Sequence, residues 1–415
     1  MDAAAPHRDT AHAVVIGAGV GGLAAAAGLH QRGWSVTVLE RAAQLGDVGA
    51  GIGLAPNALR ALDALGAGEA VRSLSAHGAV GGIRHPSGRW LSRAGADAAA
   101  ERFGGPTVLV HRAVLIDLLA SLLPAGALRT GTAARLADPG GPGTAARVTT
   151  ARGESIEAGL VVGADGIHSA VRRTLFPGHP APRYSGLTAW RLVVPALDEP
   201  FEPHETWGRG RLWGTQPLHD GRVYAYAAAT APPGGRAPGA ERAELFRRFG
   251  DWHHPVPDVL AAAEEDAVLR HDLYESARPL PAHHRGRTAL LGDAAHPMAP
   301  TLGQGGCQAL EDAVVLAGLA PPGADTVRAL ADYTARRRPR TLEVVRRSAR
   351  LRRAVSLSAP PAVALRSAFV ATADRLGARL ALRAFDGIAD WRPPAPTYAA
   401  VGGTTPPAGP RTEPR

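Results

Sequence analysis

No lysine occurs anywhere in the chain, so all 46 basic residues are arginine. The net charge of +9 and the pI near 10.7 are inflated because arginine titrates so high. Alongside heavy use of alanine, glycine and proline, they read as a composition bias, which argues against a nucleic-acid partner. Cysteine is almost missing as well. The single Cys307 excludes an internal disulfide and suits a cytoplasmic protein, and its expected place is as a small residue packing a helix. No run of ~18 apolar residues is present, so no membrane span is expected. The first ten residues have neither a basic start nor an apolar core, so no signal peptide is evident. The histidines are too scattered to suggest a metal set. What remains is a 45% hydrophobic chain of 415 residues, enough for two or three domains of about 150 residues each.

Three stretches carry chemistry. Val14-Val-Ile-Gly-Ala-Gly-Val-Gly-Gly22 ends an apolar strand at 12–16 and opens a helix to about Gln31, and residues 35–40 form the next strand. In that strand–helix–strand setting Gly17, Gly19 and Gly22 allow a tight turn, close approach to a pyrophosphate and close packing of helix on strand. Glu40 ends the second strand, where a carboxylate accepts hydrogen bonds from a ribose. The pattern reads as dinucleotide binding and does not by itself separate FAD from NAD. The second stretch, Val161-Val-Gly-Ala-Asp165-Gly-Ile-His-Ser-Ala-Val-Arg172, is a strand, a turn and a helix capped by Ser169. The third runs from Thr288 to Asp312. Its strand ends in Gly292-Asp293, and a loop leads to Gly303-Gln-Gly-Gly306, which opens a helix from Cys307 to about Leu319. The free N–H groups and dipole of such a helix start favour an anion. Arg112 begins a further predicted helix, where its charge opposes the dipole unless an anion lies nearby.

Between these stretches the spacing predicts a short amphipathic helix at 56–65, a hairpin at 78–92 turning at Pro86-Ser-Gly88, a strand at 107–111 leading into a helix at 112–123, and a small β region at 126–162. A strand is expected at 184–194. Arms at 211–218 and 222–230 form a hairpin around His219-Asp-Gly221, with Pro217 marking an edge or strand end. On the second arm Tyr224 and Tyr226 share one face, and Trp190 and Arg191 face opposite sides of their own strand. Residues 231–239 read as a loop and 241–266 as helix with an interruption at 255–257. Nine arginines crowd 336–353, where Leu342, Val345 and Ala349 at helical spacing predict one buried stripe on a solvated helix. The tail at 393–415 is rich in Pro, Gly and Thr and is expected to be disordered.

The three stretches in this order resemble the single-component (group A) FAD-dependent monooxygenases of the para-hydroxybenzoate hydroxylase fold. The run Pro300-Thr-Leu-Gly-Gln-Gly-Gly-Cys-Gln-Ala-Leu-Glu-Asp312 is most similar to the branch holding zeaxanthin epoxidases, urate hydroxylases and 3-hydroxybenzoate 6-hydroxylases. The resemblance implies an α/β fold: a Rossmann-like FAD-binding domain of the GR2 type with an inserted mixed β-sheet substrate domain and C-terminal helices. The expected FAD domain is 1–77, 98–180 and 281–340, the substrate domain 78–97 and 181–280, and the helical region 341–392. It also implies that Gly17, Gly19, Val20 and Gly22 meet the FAD pyrophosphate, with Glu40 and Arg41 at the adenosine end. Arg112 would lean on the flavin, Asp165 would serve FAD and the nicotinamide, and Asp293 would bind the ribityl chain. Gly305 and Gly306 would face the pyrimidine edge. His296 is expected to be structural. NADH or NADPH would dock transiently, since no second glycine fingerprint is present, and O₂ would be activated as a flavin hydroperoxide for transfer to a small aromatic or polycyclic substrate. Substrate contacts are expected from Tyr224, Arg191 and Arg211, in a monomer or homodimer. The alternatives are a flavin dehydrogenase that transfers no oxygen and, from another class, a basic nucleic-acid binder.

Overall fold

The computed structural model describes residues 11–46, 50–74, 81–93, 96–235, 240–377 and 382–394; most of the tail expected to be disordered lies outside them. Its centre is a six-stranded sheet in the order His284–Arg285, Thr288–Leu290, Leu160–Gly163, His12–Ile16, Ser35–Leu39 and Leu128–Arg129, parallel except for the first pair. Strands buried on both faces need unbroken apolar runs. Ala13, Val14 and Val15 are accordingly 0% exposed. The helix Val20–Gln31 has no polar face over its first ten residues, because it is wedged between this sheet and the helix Gly305–Leu319. Small alanines allow that close approach, and Gly28 meets the Ala317 methyl.

A second, seven-stranded sheet runs Leu269–Glu275, Arg183–Val194, Val223–Thr230, Arg211–Pro217, His204–Trp207, Gly82–Arg84 and Trp90–Ser92. Pro217 thus ends an interior strand, so of the two expected positions it takes the strand end, where its missing N–H costs no ladder bond. One face of this sheet, with Trp190, Leu192, Trp213, Ala225 and Ala227, is covered by the helices Glu241–Phe249 and Val256–Ala262. Burying a side chain such as Phe249 there contributes about 1.5–3 kcal/mol. The opposite face meets Ala50 and Leu109 of the first domain, the part built on the six-stranded sheet, and further along packs on Leu351 and Val355.

The helix Thr326–Val355 spans the arginine-rich run. Its buried stripe is Ala329, Leu330, Tyr333, Arg337, Thr341, Val344 and Ser348, one position away from the expected Leu342, Val345 and Ala349. The shift follows from Arg337, which pairs with buried carboxylates and so turns an arginine inward. Among the described residues no helix is long and apolar enough to cross a membrane.

Candidate active site

The register of the parallel sheet gathers the three motifs. Ile16 pairs with Gly163 on one side and Leu39 on the other, and Gly163 pairs with Leu290. The residues that follow these strand ends are therefore neighbours: Gly17, Glu40, Asp165 and Asp293. Ligands of open parallel sheets bind at such carboxyl ends.

Each glycine of the first motif has a different reason. Gly17 has φ +106° and its backbone lies against Ala164, where a Cβ would come within 2.4 Å of the carbonyl oxygen. At Gly22 a Cβ would sit 2.0 Å from the Gly17 oxygen, so helix and turn could not close. Around Gly19 nothing lies within 4 Å, which leaves space above the start of its helix. No side chain caps that helix. Val20 is buried and packs into the core, so only its backbone faces the turn. Glu40 accepts hydrogen bonds from the Ala18 and Ala42 N–H groups, both at 2.8 Å, which fixes the carboxylate at the turn. Arg41 is exposed beside it.

Asp165 Oδ2 accepts from the N–H groups of Ala170 and Val171 at 2.7 and 3.1 Å, while Ser169 caps the Arg172 N–H at 2.8 Å. Asp165 Oδ1 is buried and has no partner among the described residues. Asp293 is exposed at the same end of the sheet. The surrounding protein pushes its carboxyl up, and the charges of His296, Arg112 and Arg172 oppose that rise. Arg112 stands at the first turn of the helix Arg112–Ser121, uncapped and without an ion-pair partner among the described residues. The helix Gly305–Leu319 is likewise uncapped. Gly305 has open space around it, whereas Gly306 lets Ile52 approach to 2.7 Å of where a Cβ would be.

Two further features escaped the sequence. Arg172 is 5% exposed and donates to the carbonyls of Asp293, Ala294 and Ile167 at 3.2, 3.0 and 2.5 Å, locking the Asp165 and Asp293 loops together. Glu311 and Asp312, both 0% exposed, form a buried network with Arg337 at 2.5 and 2.6 Å. Asp312 also accepts from the Gly292 N–H at 2.9 Å and lies 2.6 Å from His296 Nε2, which gives His296 a structural place beneath the Asp293 loop. Two adjacent acids inside an apolar helix were the available signal; the arginine that pairs with both lies 25 and 26 residues away.

On the seven-stranded sheet, Tyr226 pairs with Arg191 and with Gly214, and Tyr224 pairs with Val193 and with Gln216. Arg191, Tyr224 and Tyr226 therefore share the face that meets the first domain, while Trp190 lies on the other. The Tyr224 ring packs on Gly51, and both rings lie 5.6 Å apart. Burial pushes the Tyr224 hydroxyl up in pKa, partly offset by the adjacent Arg191. Tyr226 donates to Glu205 at 2.6 Å. Arg211 does not join them. It pairs with Ala229 on the helix-covered face, bonds the Arg248 carbonyl and stands over the rings of Phe249 and Trp252.

The site therefore offers two uncapped helix starts over open space, an orphaned buried carboxylate oxygen and an unpaired guanidinium. That donor set fits a long, anionic, ribose-bearing cofactor. Known proteins agree with it. The FAD binding domain family matches residues 10–348. The chain is similar to the aurachin C monooxygenase/isomerase of Stigmatella aurantiaca, 38% identical over 340 residues that cover 81% of this chain and 88% of that one. It is 40% identical over 348 residues to the 3-amino-4-hydroxybenzoate 2-monooxygenase of Streptomyces cremeus, covering 81% and 86%. Its fold matches that of Klebsiella pneumoniae HpxO, solved with FAD and uric acid, at a TM-score of 0.79 and 29% identity, covering 88% of this chain and 94% of that one. The chain thus belongs to the FAD-binding family and, within it, to the single-component FAD-dependent monooxygenases.

Proposed function

We propose that the protein uses NADH or NADPH and O₂ to insert one oxygen atom into a small, electron-rich aromatic or polycyclic substrate held between the Arg191–Tyr224–Tyr226 sheet face and the flavin. The observation that carries this reading is that face itself: the Tyr224 ring packs on Gly51, and Gly51–Leu54 is the strand against which Gly306 closes. Bound FAD supplies the oxygen chemistry. The chain's residues supply the rest. The uncapped N–H groups after Gly19 would take the pyrophosphate, Glu40 the adenosine ribose, Asp293 the ribityl chain, and the Gly305 and Gly306 N–H groups the pyrimidine edge, where negative charge develops on reduction. Arg112 would face that charge, and Asp165 Oδ1 would accept from FAD or from the nicotinamide.

Arg191 fits an anionic substrate group, a phenolate or a carboxylate. With Tyr224 it would orient the ring and favour loss of a phenolic proton. Tyr226 donates to Glu205 and so sets the wall of the pocket. The apolar packing of Ala50, Leu109, Leu218 and Tyr224 would help exclude water.

The test is a screen of hydroxylated and amino-substituted aromatics for faster NAD(P)H oxidation, with O₂ uptake and product mass followed together. A substrate that stimulates both and gains one oxygen supports the reading; reduction without O₂ uptake would favour a dehydrogenase. Tyr224→Phe is expected to raise KM or uncouple O₂ use from product. Unchanged turnover, affinity and coupling would remove Tyr224 from the account.

A further inference from the structure

The arginines of residues 336–353 divide into two groups on the helix Thr326–Val355. Arg337 and Arg340 reach Glu311, Arg347 reaches Glu343, and Arg352 reaches Glu275. Arg338, Arg346, Arg350 and Arg353 instead border a groove of about 480 Å³ between this helix, the edge strand Leu269–Glu275 and the loop after Asp293. Arg338 donates there to the Leu280 carbonyl at 2.7 Å. Arg346, Arg350 and Arg353 are exposed and make no hydrogen bond or ion pair among the described residues; only the charge of Glu343 reaches the first two. Their spacing of four and three residues puts them on one side of the helix, along about 10 Å. Among the described residues the one carboxylate in the groove wall, Glu275, is already shared by Arg183 and Arg352 at 2.8 and 3.2 Å.

The remainder of the groove is largely apolar, with a few polar side chains and two histidines in its wall. Leu280, Leu342, Val345 and Ala349 line it, and His283 and His296 stand in its wall at 3% and 4% exposure. The Nδ1 atoms of both rings lack a partner among the described residues. A buried ring nitrogen left unpaired is costly, and each needs a partner that the described protein does not provide. A merely solvated arginine face would explain the charges but not these nitrogens. The volume falls in the range of small-molecule sites, about 300–1,000 Å³.

We propose that this groove binds an amphipathic anion: a phosphate or carboxylate held by Arg346, Arg350 and Arg353, on an apolar body lying along Leu280, Leu342, Val345 and Ala349 with a polar contact at His283. A guanidinium fork matches either anion in a bidentate way. None of the residues proposed to meet the flavin lines this groove, and Ala295 and His296 in its wall follow Asp293 in the same loop.

The experiment is calorimetric titration of the FAD-loaded full chain with decyl phosphate, inorganic phosphate, NADPH and phosphatidic-acid vesicles. Decyl phosphate is expected to bind one site, about two- to fourfold tighter for each added methylene. Arg346→Glu with Arg350→Glu should weaken it about tenfold or more, and the corresponding pair of lysines should keep part of the affinity. Flavin content and melting temperature report whether the variants fold. If the double variant does not, Arg353→Gln and the fall of affinity with salt are measured in its place. Equal affinity for inorganic phosphate, no loss in the charge-reversed variant, or displacement of decyl phosphate by NADPH would each overturn the proposal. So would binding of the vesicles without binding of decyl phosphate, which would assign the arginines to a lipid surface.

Discussion

Arg337 is 1% exposed and touches two fully buried carboxylates. Replacing it with methionine leaves Glu311 and Asp312 without their main counter-charge, since Arg340 reaches only Glu311. The expected loss is about 3–5 kcal/mol, read from a urea midpoint; a loss below about 1 kcal/mol would mean that Arg340 and His296 already neutralise the pair. Protonation tests two buried histidines. Burial pushes His283 down from 6.5 to about 3 and His204 down to about 4. The unfolded chain gains these protons as pH drops below 6.5, whereas the folded chain does not, so stability falls as pH falls through that window. Asp312 adds a loss at lower pH. Burial would raise its carboxyl, but His296 and Arg337 outweigh that and hold it below the carboxylate range, so its contribution is present above about pH 4 and disappears beneath it. The melting temperature should therefore decline from pH 6.5 to about 4, and His283→Gln should flatten the decline. An unchanged slope in that variant would contradict the assignment.

At the scale of elements, the packing of a turn against its own helix is decisive. Gly22→Ala would put a methyl 2.0 Å from the Gly17 oxygen, against backbone that cannot swing away. Either the helix Val20–Gln31 or the strand before it must move, at a cost of about 1–3 kcal/mol and with loss of bound flavin. A variant that keeps full flavin content and an unchanged melting temperature would show that the turn yields. This unit was legible because strand, glycines, helix and second strand are contiguous and obey short-range rules. The strand Gly51–Leu54 was not: four residues with two glycines carry no alternation, and its partner Val108–His111 lies more than fifty residues on. The strands His204–Trp207 and Leu269–Glu275 were equally hidden, as each is defined by its neighbours across the sheet. The stripe of the helix Thr326–Val355 was misplaced by one residue because apolar spacing cannot reveal an arginine turned inward by distant acids. Arg211 was grouped with Tyr224 because both lie on the expected hairpin of the substrate sheet, and the pairing register put it on the other face.

The molecule as a whole works because a sheet edge collects what the chain scatters. Gly19, Asp165 and Asp293 are separated by more than a hundred residues at each step, yet they follow three adjacent parallel strands. The second sheet then presents Arg191 and Tyr224 towards the same domain. Titrating deflavinated protein with FAD, followed by quenching of flavin fluorescence, tests this convergence most directly. One FAD per chain is predicted, with affinity reduced about tenfold or more by each of Gly19→Val, Asp165→Ala and Asp293→Ala. Gly19→Val is the sharpest of the three, because beyond its chain neighbours no described protein atom lies within 4 Å of the new Cβ. It should fold normally and still lose the cofactor. Tight FAD binding in all three folded variants would contradict a site assembled from these three strand ends.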